Sequence, residues 1–186
     1  MQIIDTFFGD VHLLAPKIFS DSRGYFFESY NKLKLEELGI KYDFVQDNQS
    51  KSAYGVVRGL HYQLHPYAQT KLIRALSGTI LDVVVDIRTC SPTFGQWKSF
   101  ELSDQNQHQV IIPAGFAHGF SVLSETAVIL YKCDSYYNPA YERGIVYNDS
   151  NLQIDWQIHN IAPIVSAKDL ALPTLDNAEM NFVYQH

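Results

Sequence analysis

Three side chains in this sequence are of the types that together move a proton on carbon. They are the imidazole of His61, the ammonium of Lys71 and the phenol of Tyr131. A histidine can take a proton beside a carbonyl group, a lysine can stabilise the enolate oxygen, and a tyrosine can return a proton. The set therefore suits deprotonation and reprotonation beside a ketone, provided that the fold gathers the three side chains in one pocket.

A metal site is the alternative that the neighbouring segments raise. Residues 113–118 read Pro-Ala-Gly-Phe-Ala-His and resemble the second motif of cupin barrels, a turn between two strands. A metal-binding cupin carries His-x-His and a later carboxylate in its first motif, whereas this chain has Gln63 and Lys71 at those places. A lysine ammonium has no lone pair for a metal and repels it. We therefore expect no metal ligands here.

The elements that must position these residues are predicted to be strands. β-Rich runs alternate with Gly, Pro and Ser turn signals from Tyr54 onward, and the last 40 residues are less periodic. Short strands at regular spacing with little helix predict an all-β fold, an antiparallel sandwich or barrel. The resemblance of residues 113–118 to the cupin motif implies a cupin-type antiparallel β-barrel or jelly roll with a few short helices. Residues 31–39 are the clearest helix, with Asn31 as N-cap and Gly39 at the end. The predicted strands are residues 11–16, 25–29, 72–76, 79–88, 97–102, 109–112, 119–122 and 127–133.

Alternation along a strand predicts which of the chemical side chains share a face. It groups His61 with Gly59 and Gln63 on one strand, and Tyr131 with Cys133 on another. Spacing alone does not establish that these two faces converge.

Composition narrows the class of protein. The chain has 186 residues, which favours a single domain spanning residues 1–186, and 46% of them are hydrophobic. A net charge of −6 argues against a nucleic-acid-binding surface. Cys90 and Cys133 are too few for a disulfide framework. With no secretory signal and no apolar run of membrane length, we expect a cytoplasmic protein without a membrane partner.

Longer segments carry a resemblance that covers nearly the whole chain. The segments are DSRGYFFE at 21–28, VQDNQS at 45–50, VRGLHYQ at 57–63, AQTKL at 68–72, DVVVDIR at 82–88, SPTFG at 91–95, PAGFAHGF at 113–120, YKC at 131–133, ERG at 142–144 and SAKD at 166–169. In this order they resemble the dTDP-4-dehydrorhamnose 3,5-epimerase family, whose members are cupins of dTDP-L-rhamnose synthesis.

The resemblance implies a catalytic role for four residues. His61 would be the base for the C3 and C5 protons, both acidified by the C4 ketone of the sugar. Asp169 would bind His61, fix its tautomer and stabilise its cation. Tyr131 would be the acid on the opposite sugar face, and Lys71 would lie near the C4 oxygen. No redox cofactor is implied, because the ketone itself activates the neighbouring carbons.

Further residues are implied to bind a small-molecule sugar nucleotide. His118 would line the pocket with Asp82 orienting it, and either Phe26 or Tyr137 would stack on the thymine. The family forms homodimers through exchanged N-terminal strands, so a homodimer is expected. The positions that match anionic or sugar contacts are Arg23, Arg58 and Lys168 near the diphosphate, and Glu28, Gln46, Asn48 and Glu142.

Other functions stay open at the level of the sequence. Epimerases that act only at C3 or at C5, or on a GDP-linked sugar, share the base and the acid. A non-catalytic cupin that binds a sugar nucleotide would share the binding residues. A metal-dependent cupin is the third alternative, against which Gln63 and Lys71 argue.

Overall fold

Two antiparallel β-sheets form the body of the molecule, and the computed structural model describes residues 1–184. The strands are β1 Gln2–Phe7, β2 Val11–Ala15, β3 Phe19–Asp21, β4 Gly24–Phe26, β5 Gln46–Ala53, β6 Val56–Gln63, β7 Lys71–Ser77, β8 Thr79–Asp86, β9 Trp97–Ser103, β10 Gln109–Ile112, β11 Phe116–Val122, β12 Thr126–Cys133, β13 Glu142–Gly144 and β14 Ile164–Val165. The first sheet has the strand order β1-β2-β10-β7-β12-β5, and the second has the order β13-β6-β11-β8-β9 with β14 parallel to β6.

The space between the sheets is filled by apolar side chains from both of them. Ile73 and Ile129 of the first sheet pack in one cluster with Val84 and Phe120 of the second sheet. Since side chains alternate across each strand, the inward rows of the two sheets form this shared core. The antiparallel jelly roll of the cupin type that the sequence predicts is confirmed.

The helices are short and lie outside the two sheets. Helix α1 spans Lys32–Glu37, and the Asn31 side chain accepts a hydrogen bond from the Lys34 backbone as its N-cap. Gly39 follows with a φ of +85°, which ends the helix as predicted. Helix α2 spans Ala167–Leu170, and a 3₁₀-helix spans Leu175–Asn177. None of the helices in residues 1–184 is long and apolar enough to cross a membrane.

The C-terminal part covers the outer face of the second sheet. Leu152 and Trp156 are buried in a cluster with Val83 and Leu60, whose strands they overlie. Residues on both faces of β8 and β11 are consequently buried. The prediction that the apolar pieces 152–156 and 161–165 pack back across the barrel is confirmed, since the first piece is buried on the second sheet and the second piece contains β14, which pairs with β6.

The predicted strands differ from the structure at several places: β1, β3, β5, β13 and β14 are not among them, and others have different bounds. Strand β5 is absent from the predicted set because Gln46–Ala53 is polar, and it is an edge strand whose side chains are alternately half-buried and exposed. Strand β11 begins at Phe116 instead of residue 119. Ala117 and Gly119 have low β-propensity, so the start of this strand is not evident from the sequence, although residues on both of its faces are buried. In the segment 25–29 only Tyr25 and Phe26 are in a strand.

Candidate active site

A cleft between the two sheets gathers most of the residues singled out from the sequence. It has two lobes with volumes of about 560 Å³ and about 220 Å³. His61, Lys71 and Tyr131 line both lobes. The base, cation and acid candidates therefore converge, which spacing alone did not establish.

Strand register places one wall of the cleft on the first sheet. Tyr131 of β12 pairs with Ile73 of β7 on one side and with Asn48 of β5 on the other. Lys71 pairs with Cys133, so Lys71 lies diagonal to Tyr131 on adjacent strands. Gln46 and Asn48 line the smaller lobe beside them.

The facing wall belongs to the second sheet. His61 of β6 pairs directly with His118 of β11, and on its other side with Gly144 of β13. His61 therefore stands opposite Tyr131, each projecting from a different sheet into the same cleft.

A β-bulge at Gly59 changes which side chains of β6 enter the cleft. His61 pairs with His118 and Arg58 pairs with Phe120, so three steps on β6 match two steps on β11. Strict alternation would point residues three apart to opposite faces. The bulge instead allows both Arg58 and His61 to line the larger lobe. Gln63 shares the smaller lobe with His61, as alternation predicts.

We expect Gly59→Ala to lower the free energy of unfolding by more than about 4 kcal/mol, since a Cβ there would combine backbone strain with overlap. Gly59 has a φ of +112°, and an added Cβ would lie 2.6 Å from the Gly119 Cα and 2.7 Å from the His118 carbonyl oxygen. Denaturant unfolding measures the change. Gly24→Ala is the matched control, because Gly24 has a φ of +128° with open space around it. Equal losses in the two variants would show that the close approach of β6 and β11 is unimportant.

His61 is held through one ring nitrogen. Its Nε2 lies 2.9 Å from Asp169 Oδ1, while the backbone N–H of Gly59 donates to Asp169 Oδ2 over 3.3 Å. Burial raises the pKa of Asp169, but the hydrogen bonds from His61 and Gly59 outweigh it and hold that pKa below its ordinary value. An ionised carboxylate only accepts, so the proton sits on Nε2 and Nδ1 is left to take another.

His118 is the second imidazole of the cleft and has its own carboxylate. Its Nε2 lies 2.7 Å from Asp82 Oδ2, and Asp82 is fully buried. Burial lowers the pKa of His118 and raises that of Asp82. Neutral His118 is thus favoured as a polar wall of the cleft, with Asp82 orienting its ring.

Burial shifts the pKa of both Lys71 and Tyr131. No ion pair to Lys71 is present within residues 1–184, so its ammonium is available to an oxygen anion in the cleft. Burial lowers the pKa of Lys71 and so disfavours its ammonium, while the charges of Asp82 and Glu142 act in the opposite direction. Burial also raises the pKa of Tyr131, which keeps the phenol protonated until it donates.

Charged side chains surround the mouth of the cleft. Glu142 Oε2 accepts hydrogen bonds from Lys168 Nζ and from the Tyr137 hydroxyl, each over 2.6 Å. Burial raises the pKa of Glu142, but these two donors outweigh it and hold that pKa low. Arg58 is exposed and donates from Nε to the Ser52 hydroxyl over 3.1 Å. Arg58 and Lys168 thus place two cations at the larger lobe.

Two residues predicted to bind substrate lie away from the cleft of their own chain. Arg23 is on the β3–β4 hairpin, 88% exposed and paired with Asp21. Glu28 bonds Lys34 and Asn31 near helix α1. Of the two aromatic candidates for stacking, Tyr137 lines the smaller lobe, whereas Phe26 lies on the exposed hairpin.

Gln63, which stands where a metal-binding cupin has a ligand, holds a loop. Its amide nitrogen donates to the carbonyl oxygen of Tyr67 over 2.7 Å, and its oxygen accepts from the Asn138 backbone over 2.6 Å. The amide therefore ties the loop of Tyr67 to the loop that carries Tyr137, because its nitrogen also donates to the Tyr136 carbonyl oxygen over 3.3 Å. Within the part of the chain that the structure describes, no group of three His, Cys, Asp or Glu side chains is arranged to hold a metal ion.

Several cleft residues were not singled out from the sequence. Ser50 and Phe120 fall inside segments that resemble the family, and Ser166 opens the last of them. Ile164 and Val165 of β14 carry no local signal beyond their apolar character. They reach the cleft because β14 pairs with β6 from about 100 positions away in the chain.

Comparison with known proteins relates this chain to one family. Residues 5–177 match the family model described as dTDP-4-dehydrorhamnose 3,5-epimerase. A protein of that name from Shigella flexneri is 51% identical over 91% of this chain and 93% of its own length. The corresponding protein of Pseudomonas aeruginosa is 55% identical over 86% and 88% of the two chains. A crystal structure of a dTDP-6-deoxy-D-glucose-3,5-epimerase from Legionella pneumophila Philadelphia 1, in complex with dTDP-4-keto-L-rhamnose, is 46% identical, has a TM-score of 0.94 and covers 100% of this chain and 99% of its own.

Proposed function

This chain belongs to the dTDP-4-dehydrorhamnose 3,5-epimerase family, and from that membership we propose how its cleft carries out the reaction. The chain is an isomerase that inverts C3 and C5 of dTDP-4-dehydro-6-deoxy-D-glucose, a step of dTDP-L-rhamnose synthesis. The observation that carries the residue assignment is the placement of His61 and Tyr131 on opposite sheets, facing one cleft.

The first half of each inversion is proton removal by His61. Nδ1 takes the proton from the carbon next to the C4 ketone, and the electron pair of the C–H bond moves into the C–C bond as the ketone becomes an enolate. Asp169 stabilises the resulting imidazolium through Nε2. Lys71, with no ion pair among the described residues, stabilises the negative C4 oxygen.

The second half is proton return by Tyr131 from the other side of the sugar. The enolate collapses to the ketone as its carbon takes the phenolic proton, so the configuration at that carbon inverts. The phenolate and the imidazolium then return to their starting states by exchange with solvent. The opposed placement of the two side chains supports this division of roles, and the raised pKa of Tyr131 supports its role as the acid.

Binding of the nucleotide diphosphate is proposed at the mouth of the cleft. Arg58 and Lys168 supply positive charge there, and guanidinium groups suit phosphate oxygens. Gln46, Asn48 and Glu142 line the smaller lobe, where their side chains hydrogen-bond the sugar or the base. Tyr137 has the exposed ring that stacking on thymine requires.

The acting unit is proposed to be a homodimer of single-domain chains, each comprising residues 1–186, in the cytoplasm. Phe19, Tyr25 and Phe26 are exposed aromatic side chains on the β3–β4 hairpin, which pairs with no other strand among the described residues. Such a hairpin is marginal alone, and clustered apolar surface marks interfaces. Docking of this hairpin on a partner would carry Arg23 toward the partner's cleft. The unpaired Cys90 and Cys133 suit a reducing compartment.

The test of the proposed reaction is solvent exchange on the sugar. With dTDP-4-dehydro-6-deoxy-D-glucose in D₂O, we expect deuterium at both C3 and C5, measured by NMR, while hydrogen at C2 stays in place as the internal control. Exchange at only one carbon would contradict double epimerisation and favour the single-site alternative. Loss of exchange after dialysis against EDTA, restored by a metal, would favour a metal-dependent cupin.

A further inference from the structure

Ser166 lines the cleft but has no part in the chemistry described above. It directly precedes helix α2, whose four residues, Ala167–Leu170, include both Lys168 and Asp169. The Ser166 hydroxyl accepts a hydrogen bond from the backbone N–H of Asp169 over 3.0 Å. Ser166 is therefore the N-cap of the element that presents a carboxylate to His61.

A single helical turn needs such a cap to hold its shape. Within α2 the Leu170 N–H donates to the Ser166 carbonyl oxygen over 3.0 Å, and the turn is too short for helix propagation to stabilise it. Ser166 and Lys168 are exposed, so water competes for the same backbone groups. Asp169 is nevertheless only 4% exposed, because its side chain turns inward to His61 and Gly59.

The hydroxyl of Ser166 also acts on the charge of Asp169. Burial alone raises the pKa of Asp169, and the hydrogen bonds from His61, Gly59 and Ser166 together bring it below the ordinary value. The ionised carboxylate is the form that accepts the Nε2 proton of His61 and stabilises its cation. The Ser166 cap thus favours both the position of the Asp169 carboxyl group next to His61 and its ionised form.

We propose that Ser166 is a positioning residue for epimerisation, which holds Asp169 against His61 Nε2 and thereby leaves Nδ1 free for the substrate proton. This inference rests on the proposed roles of His61 and Asp169. On this proposal, the geometry of the hydrogen bond between His61 and Asp169 depends on an exposed N-cap residue, which lies outside the sheets that carry His61 and Tyr131.

The experiment compares three variants with the wild type. We expect Ser166→Ala to lower kcat by about tenfold with KM changed less than about twofold, since the catalytic geometry and not substrate binding is disturbed. Ser166→Thr keeps a capping hydroxyl and should restore kcat to within about twofold of wild type. Asp169→Asn should lower kcat by about 100-fold or more, because an amide permits the wrong tautomer. Nitrogen-15 NMR of His61 should show the proton on Nε2 in wild type and a mixture of tautomers in Ser166→Ala.

Ser103→Ala is the matched control. Ser103 Oγ accepts the backbone N–H of Asn106 over 3.1 Å, also three residues ahead, in a turn outside the cleft. An equal loss of kcat in Ser103→Ala would indicate general destabilisation and overturn the proposal. A raised KM with unchanged kcat in Ser166→Ala would place the hydroxyl on substrate and also overturn it. If Ser166→Ala keeps the wild-type kcat while Asp169→Asn is defective, the role of Ser166 as a cap is refuted and the His61–Asp169 pair of the proposed function stands. If Asp169→Asn itself keeps the wild-type kcat, the His61–Asp169 pair is refuted.

Discussion

Replacing His61 by alanine is expected to abolish proton exchange at both C3 and C5. The variant retains the cleft, Lys71 and Tyr131, but lacks the only group proposed to remove the carbon-bound proton. General base catalysis contributes about 10²–10⁴-fold, so kcat should fall by about 10³-fold or more. Deuterium incorporation from D₂O, followed by NMR over hours of incubation, measures the loss directly at each carbon.

His159→Ala is the control for removal of an imidazole, because His159 is exposed and does not line the cleft. Thermal unfolding of both variants checks that the fold is kept. Wild-type proton exchange in His61→Ala would contradict the assignment of His61 as the base. Loss at only one carbon would show that a different base serves the other.

Replacing Tyr131 by phenylalanine is expected to separate exchange from inversion. His61 still removes the proton and the enolate still forms, so deuterium should enter the sugar with retained configuration. The donor on the opposite sheet is missing, so inverted product should fall by about 100-fold or more. The ring remains to fill the cleft wall beside Ile73, and the register of β12 should be unchanged.

Tyr54→Phe is the matched control, since it removes a phenol hydroxyl that donates to the His159 carbonyl oxygen over 3.0 Å outside the cleft. It should epimerise like the wild type. If exchange and inversion fall together in Tyr131→Phe, the phenol acts before or during proton removal, and its role as a late opposite-face acid is wrong. Product NMR, which distinguishes the configurations at C3 and C5, decides between these results.

The fold class was readable from the sequence because strand periodicity and turn residues are local signals. Helix α1 was readable for the same reason, with Asn31 and Gly39 marking its ends. Strand β5 was not predicted, because it is stabilised by pairing with β12 along its whole length and not by a local sequence pattern. A polar edge strand of this kind has no local pattern that separates it from a loop.

Most of the site residues that the family resemblance implied lie in the cleft, but two of them do not. Arg23 and Glu28 match substrate-binding positions and yet lie outside the cleft of their own chain. Residue type at a position in the sequence predicts the chemistry of a side chain. It does not tell whether that side chain serves its own chain's cleft or another's, which depends on how surfaces meet.

The sequence by itself determined the chemical types that are present: an imidazole, an ammonium and a phenol in a β-rich chain, with Gln63 and Lys71 in place of metal ligands. The tertiary structure decided that His61 and Tyr131 face each other, because they belong to strands of different sheets that close over one core. It also decided, through the bulge at Gly59, that Arg58 joins His61 in the cleft. The physical reason is that alternation along a strand is local, whereas the register between strands and the meeting of sheets depend on contacts between distant parts of the chain.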